Sequence, residues 1–338
     1  MVVSRSTYPT DYMLKLLART VWKPSVEALN LQKAYIHNIA AKPLERQVYE
    51  VQIPVPWGHI AGKWWGSQDT KPVLCLHGYQ DNAGTWDRLA PLLPQDISLL
   101  AVDLPGHGLS SQAPLGAAYH VLDFILTIRR IANYYGWERF SLLGHSFGSI
   151  LSFLYSAIFP EHVEKYVALD AIKPLKMDPA RRLKKHGEYL DEFLRIESLD
   201  PNSKPSYTYD ETVNILHKSI GNWANKESCE ILTRRGTIRQ NDGRYVFSRD
   251  PRLKGNTSFL YTRTYVLDFA ANIRCEVLNI KAKQGLKFET PEENEEFLEI
   301  IKKSAKRYEY HAVEGAHHVH LDHPERVAPI ISNFLKST

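Results

Sequence analysis

Cysteine is scarce in this chain of 338 residues. The three present, Cys75, Cys229 and Cys275, are scattered, and none stands in a Cys-x-x-Cys pair. That excludes a disulfide framework and a cysteine-built metal centre. It also fits reduced thiols in the cytoplasm, with Cys75 a small core residue inside a strand pattern. Long apolar runs are missing too. None approaches the ~18 residues of a membrane span, so no transmembrane segment is expected. The first residues lack a secretory apolar core. They do carry Arg5, Lys15, Arg19 and Lys23 around an amphipathic piece, Tyr12 to Trp22. A mitochondrial presequence has that look, although Asp11 and Pro9 argue against it. Charge of one sign is not in large excess, with 42 basic and 38 acidic residues. The densest basic run, Arg181-Arg182-Leu183-Lys184-Lys185, suits a solvated helix face, and no nucleic-acid partner is expected. Repeats and low-complexity tracts are absent.

What is present is a rhythm. Residues 1–45 read as a leader with helical periodicity that drapes over the core. Val48 to Val55 and His59 to Trp65 alternate like hairpin strands across Pro56-Trp57-Gly58. Pro72 to Leu76 is a nearly continuous apolar run, the mark of a strand buried on both faces. A helix is expected next, with Trp86, Leu89 and Leu92 on one face, then a strand over Ile97 to Val102. Tyr119 to Tyr135 spaces Val121, Phe124, Ile125, Ile128 and Ile131 like a helix, with Gly136 as its stop. A strand ends at Leu143, a helix runs from Phe147 to Phe159, and a strand over Tyr166 to Leu169 ends at Asp170. From Ala171 the rhythm breaks, and it resumes near Val277. The expectation is an α/β class chain: a mostly parallel twisted sheet with helices on both faces, formed by residues 46–170 and 275–338. Residues 171–274 are expected as a helical lid.

The sharpest motif is Gly144-His145-Ser146-Phe147-Gly148, between an apolar strand and an amphipathic helix. A serine at such a turn sits on strained backbone, and its glycine neighbours let strand and helix pass close. A hydroxyl of ordinary acidity needs a base beside it. The candidate is His317 in Glu314-Gly315-Ala316-His317-His318-Val319-His320, where small residues let the loop reach over the sheet's carboxyl edge. The base in turn needs a carboxylate. Asp170, ending the strand after the serine helix, and Glu289, beyond the Val277 strand, both qualify. Oxyanion donors are expected from the Phe147 and Tyr79 amides. His77 and His107 read as braces of their loops. A metal reading of His317, His318, His320 and His323 lacks both a cysteine and a His-Glu-x-x-His helix. No metal and no cofactor are expected.

Taken together, His77-Gly78-Tyr79, the Asp103 to Ser110 loop, the Ser146 pentad and the Gly315 to His320 loop resemble the α/β-hydrolase superfamily over about Val48 to Leu335. The similarity extends to the animal serine hydrolase-like, kraken-type proteins through Val55-Pro56-Trp57-Gly58-His59-Ile60-Ala61, Val73 to Gly78, Leu143 to Gly148 and Arg249-Asp250-Pro251-Arg252-Leu253. The resemblance implies a serine hydrolase, cytoplasmic or peroxisomal; the C-terminal Leu335-Lys336-Ser337-Thr338 is not a Ser-Lys-Leu address. One departure matters. The superfamily usually places its acid just beyond a glycine after the seventh strand, where Gly285 stands here. Members that supply it from the end of the sixth strand imply Asp170, with Glu289 the alternative. The expected substrate is a small or medium apolar ester or thioester. Two other readings stay open: a catalytically weak ligand-binding member, and a carbon–carbon bond hydrolase with the same triad. Serine in place of aspartate at the turn argues against epoxide-hydrolase and dehalogenase chemistry. Oligomeric state is not readable.

Overall fold

A computed structural model describes residues 46–174, 179–200, 204–254, 261–286 and 291–337. The expected leader, residues 1–45, lies outside them. Eight strands form one sheet in the order β1 (Val48–Val55), β2 (Gly58–Trp65), β4 (Leu99–Val102), β3 (Val73–Leu76), β5 (Phe140–His145), β6 (Val163–Leu169), β9 (Glu276–Ala282) and β10 (Arg307–Val313). The β1–β2 hairpin joins β4 antiparallel, and every other pairing is parallel. The chain runs from β3 outward to β4 and then returns past β3 to β5. Reversals of this kind leave a crevice at the carboxyl ends of the strands, where ligands of open α/β sheets bind.

Alternation fills both faces. In β3, Leu74 and Leu76 pack on one side with Phe124, Phe153 and Tyr166. Val73 and Cys75 pack on the other with Trp86, Ile331 and Phe334. The strand is buried throughout because it has neighbours in the sheet and side chains above and below. The first face is covered by α1 (Val121–Tyr134), α2 (Phe147–Ile158) and later helices. Helix α1 buries Val121, Phe124, Ile125, Ile128 and Ile131 at the expected spacing, and the His120 amide donates to Asp123 at its start.

Two expectations need correction. The helix over Trp86, Leu89 and Leu92 is two short 3₁₀ turns, Ala83–Trp86 and Ala90–Leu92, and Leu92 is half exposed. Asn82 accepts the Gly84 amide and so caps the first turn. Pro91 and Pro94 cannot donate, which stops an α-helix from propagating. The segment between β6 and β9 is not purely helical. It holds α3 (Pro179–Glu197), α4 (Tyr209–Ile220), α5 (Lys226–Gly236) and α6 (Arg263–Ala270), but also an antiparallel hairpin of β7 (Thr237–Arg239) and β8 (Tyr245–Phe247). Asp242-Gly243 is the signal for it, with Gly243 at φ 83° in the turn.

This inserted segment is tied down by buried charge. Arg235 donates through Nε to Asp103 at 2.7 Å and through Nη1 to Glu50 at 2.7 Å. Asp103 is fully buried and also accepts the Ala83 and Leu109 amides. Removing Arg235 would strand that carboxylate. Arg235→Met should therefore lower unfolding free energy by about 3–5 kcal/mol in a urea titration, whereas a decorative surface pair would give under about 1 kcal/mol.

Candidate active site

Ser146 follows β5 and precedes α2 with φ 51° and ψ −115°, a left-handed backbone that a serine adopts only under constraint. Its amide donates to the Leu169 carbonyl at 3.1 Å, and its carbonyl accepts the Ser149 and Ile150 amides. Both flanking glycines are required sterically. A Cβ on Gly144 would stand 2.4 Å from Ser149 Cα, and one on Gly148 would stand 2.1 Å from the Leu76 carbonyl oxygen. Phe147 begins α2, and its ring meets that of Tyr79, just past β3, edge-on at 5.3 Å. Gly78 lies against the Ser146 side chain, with 3.4 Å left to a Cβ built on it.

Asp170 also has a left-handed backbone, at φ 62°, and its amide donates to the Ile280 carbonyl at 2.8 Å. The turn points a fully buried carboxylate at the end of β9. One oxygen accepts Lys281 Nζ at 2.6 Å and the Ala282 amide at 3.1 Å. The other accepts the Leu286 amide at 2.9 Å and His317 Nδ1 at 2.6 Å. The carboxylate only accepts, so the proton of a neutral His317 sits on Nδ1 and Nε2 keeps its lone pair. Gly285, where an acid is customary, stands against Asp170. A side chain there would begin 2.2 Å from both Asp170 carboxylate oxygens, so the space after β9 is already filled. Glu289, the alternative acid, lies outside the described residues.

His317 is buried, and burial pushes its pKa below the ordinary 6.5 although the Asp170 bond pulls the other way. Its loop is braced from below by His145, whose Nε2 donates to the His317 carbonyl at 3.0 Å. Burial, with three neighbouring imidazoles, holds His145 well below 6.5 and so neutral. From above, the Trp223 carbonyl accepts the His318 amide at 2.9 Å, and its ring meets His317 edge-on at 5.0 Å. His77 accepts the Leu104 amide and His107 accepts the Gln80 amide, so both brace loops.

Among the described residues the donors that converge as metal ligands would are Asp81, His145 and His318, all buried, rather than the run His317 to His323. Asp81 Oδ2 lies 4.0 Å from His145 Nδ1 and 3.7 Å from His318 Nε2. One bridging water or one divalent cation spans such gaps.

The fold has counterparts in known proteins. The alpha/beta hydrolase fold model matches residues 71–222. A Drosophila melanogaster protein named "Probable serine hydrolase" is 43% identical over 290 residues, 85% of this chain and 87% of that one. Human serine hydrolase-like protein 2 is 36% identical, with 86% and 95% covered. The crystal structure of a hypothetical protein from Pseudomonas aeruginosa superposes with a TM-score of 0.75 at 32% identity, covering 85% of this chain and 99% of that one. The chain belongs to the serine hydrolase-like family of the α/β-hydrolase fold.

In this family member, Ser146, His145, His317 and His318 line one cavity of about 290 Å³ together with Tyr79 and Asp81. Its opposite wall comes from the inserted segment, with Leu216, Ile220, Trp223, Leu232 and Phe247. Lys281, His145 and Trp223 were not distinguishable as site residues in the sequence. A lysine one position before a strand end, or a histidine inside a familiar pentad, gives no sign of which carbonyl or carboxylate it will meet. Gly285→Ala tests the crowding at Asp170. It should cost about 1–3 kcal/mol and shift the low-field Nδ1 proton resonance of His317 upfield, since the carboxylate must move away. An unchanged resonance would show that the added methyl is accommodated elsewhere.

Proposed function

We propose that this protein hydrolyses carboxylic esters or thioesters through an acyl-serine intermediate on Ser146. The observation that carries the reading is the 2.6 Å His317–Asp170 contact, on a loop lining the same cavity as a serine held at φ 51°. Ser146 Oγ attacks the carbonyl carbon while its proton passes to His317 Nε2. Asp170 fixes the ring's tautomer and offsets the charge of the imidazolium. The Tyr79 and Phe147 amides hold the oxyanion, as their adjacency across the β3 and β5 ends allows. His317 then returns the proton to the leaving alcohol or thiol. Water enters, His317 takes its proton, and hydrolysis of the acyl-enzyme restores the free serine. The chemistry calls for no cofactor. Residues 171–274 act as the lid over the cavity, limiting bulk water there while admitting the one water that hydrolyses the acyl-enzyme. Three buried thiols among the described residues suit a cytoplasmic enzyme.

A fluorophosphonate probe should label the wild-type protein and not Ser146→Ala; a folded wild type that stays unlabelled would refute the reading. Asp170→Asn should lower kcat on the order of 10³- to 10⁴-fold. The pH dependence follows from His317. The base works only when neutral, and burial lowers its pKa below 6.5. The acid limb of kcat/KM should therefore rise with pH and reach half its height below pH 6.5, as read from a pH–rate profile. A midpoint above pH 7 would assign the limb to another group.

A further inference from the structure

Among the described residues lining the Ser146 cavity, only Arg249 carries a permanent positive charge. It opens the segment Arg249-Asp250-Pro251-Arg252-Leu253, whose other charges are spoken for. Arg252 donates through Nε and Nη2 to Asp250, the latter to Oδ2 at 2.7 Å, through Nη2 also to the Ala113 carbonyl, and through Nη1 to the carbonyls of Pro114 and Ala117. Tyr119 donates its hydroxyl to the same Asp250 oxygen. Asp81, the carboxylate of the cavity wall, faces His145 and His318. Arg249 itself has no ion pair and no side-chain hydrogen bond among the described residues. Its guanidinium lies over the Phe247 ring at 4.6 Å, and both residues line the cavity. Burial lowers its pKa, and no carboxylate opposes the effect.

The side chain is half-buried in the cavity wall, and a guanidinium partly drawn from water with no counter-charge among the described residues carries a desolvation cost. Stacking on Phe247 returns only part of that cost and leaves a planar fork of five N–H donors unused. The fork matches one carboxylate in a two-point contact. A phosphate dianion would call for more positive charge than this wall supplies.

We propose that Arg249 binds a free carboxylate on the acyl chain, so that the preferred substrate is a mono-ester or mono-thioester of a short dicarboxylic acid. The inference rests on the Ser146 hydrolase reading and replaces the wholly apolar acyl chain with one ending in an anion. Leu216, Ile220 and Leu232 line the wall available to the methylenes, and a cavity of about 290 Å³ fits a short chain.

The test compares the 4-nitrophenyl mono-ester of glutaric acid with 4-nitrophenyl pentanoate, which has the same chain length without the charge. Wild type should favour the glutarate ester in kcat/KM. That preference should shrink about 10- to 100-fold in Arg249→Gln and be partly kept in Arg249→Lys. A ratio of two substrates does not depend on the fraction of enzyme that is folded, so misfolding cannot imitate the result. An equal or reversed preference in wild type, or a ratio untouched by Arg249→Gln, overturns the proposal. A preference for an ester whose anion lies on the leaving group would overturn its acyl placement. Calorimetry with glutarate itself, which has no scissile bond, separates the two readings. Binding to wild type that Arg249→Gln weakens at least tenfold, with neither ester hydrolysed, would keep the anion site and sink the hydrolase. Turnover with no glutarate binding would do the reverse.

Discussion

Everything at the carboxyl edge depends on where the Asp170 carboxylate sits. It joins the end of β6 to the end of β9 through Lys281 and the Ala282 amide, reaches the following turn through Leu286, and meets the terminal loop through His317. Four donors leave it little freedom to turn. A histidine carried by a loop would otherwise wander; here Nδ1 is fixed on Asp170 and the residue lines the cavity. The left-handed backbone of Asp170 is what aims the carboxylate, and the neighbouring left-handed Ser146 is tied to the preceding carbonyl of Leu169. Two strained residues on adjacent strands therefore share one anchoring region. Strain at such points persists only where the surrounding structure over-determines it.

The second level of organisation is the inserted segment. It is held to the sheet by Arg235 on Asp103, and to the histidine loop by Trp223 and by Ser228 donating to Asp322 at 2.6 Å. These contacts set the far wall of the cavity, and so the shape and charge a substrate would meet. Ser146 and His317 line the cavity from the sheet edge, which the fold supplies; the insertion lines it from the other side, Arg249 included. The division agrees with the general separation of scaffold from specificity in folds that host many reactions.

Much of this was legible beforehand for identifiable reasons. Buried parallel strands read as apolar runs, so β3 and β5 were evident, and the period of α1 was strong. The serine turn was legible because its glycines answer a local steric demand that any chain making this turn would face. The preference for Asp170 over Glu289 rested on its place at a strand end and on a glycine where an acid is customary. The 2.2 Å clash at Gly285 gives that observation its physical content. The Trp86 region misled because apolar spacing suggested a helix while Asn82, Pro91 and Pro94 governed the backbone. The hairpin of β7 and β8 was hidden within a charged stretch whose only cue was Asp242-Gly243.

The sequence by itself determined the α/β class and the glycine-flanked serine turn. Each of these is written in residues close along the chain: alternation, glycine placement, strand ends. Tertiary structure decided which groups meet across 100 residues or more. Lys281 bonds Asp170, His145 bonds the His317 carbonyl, and Arg249 lines the cavity of Ser146. No local pattern encodes those meetings, because they arise when strands distant in the chain become neighbours in the sheet.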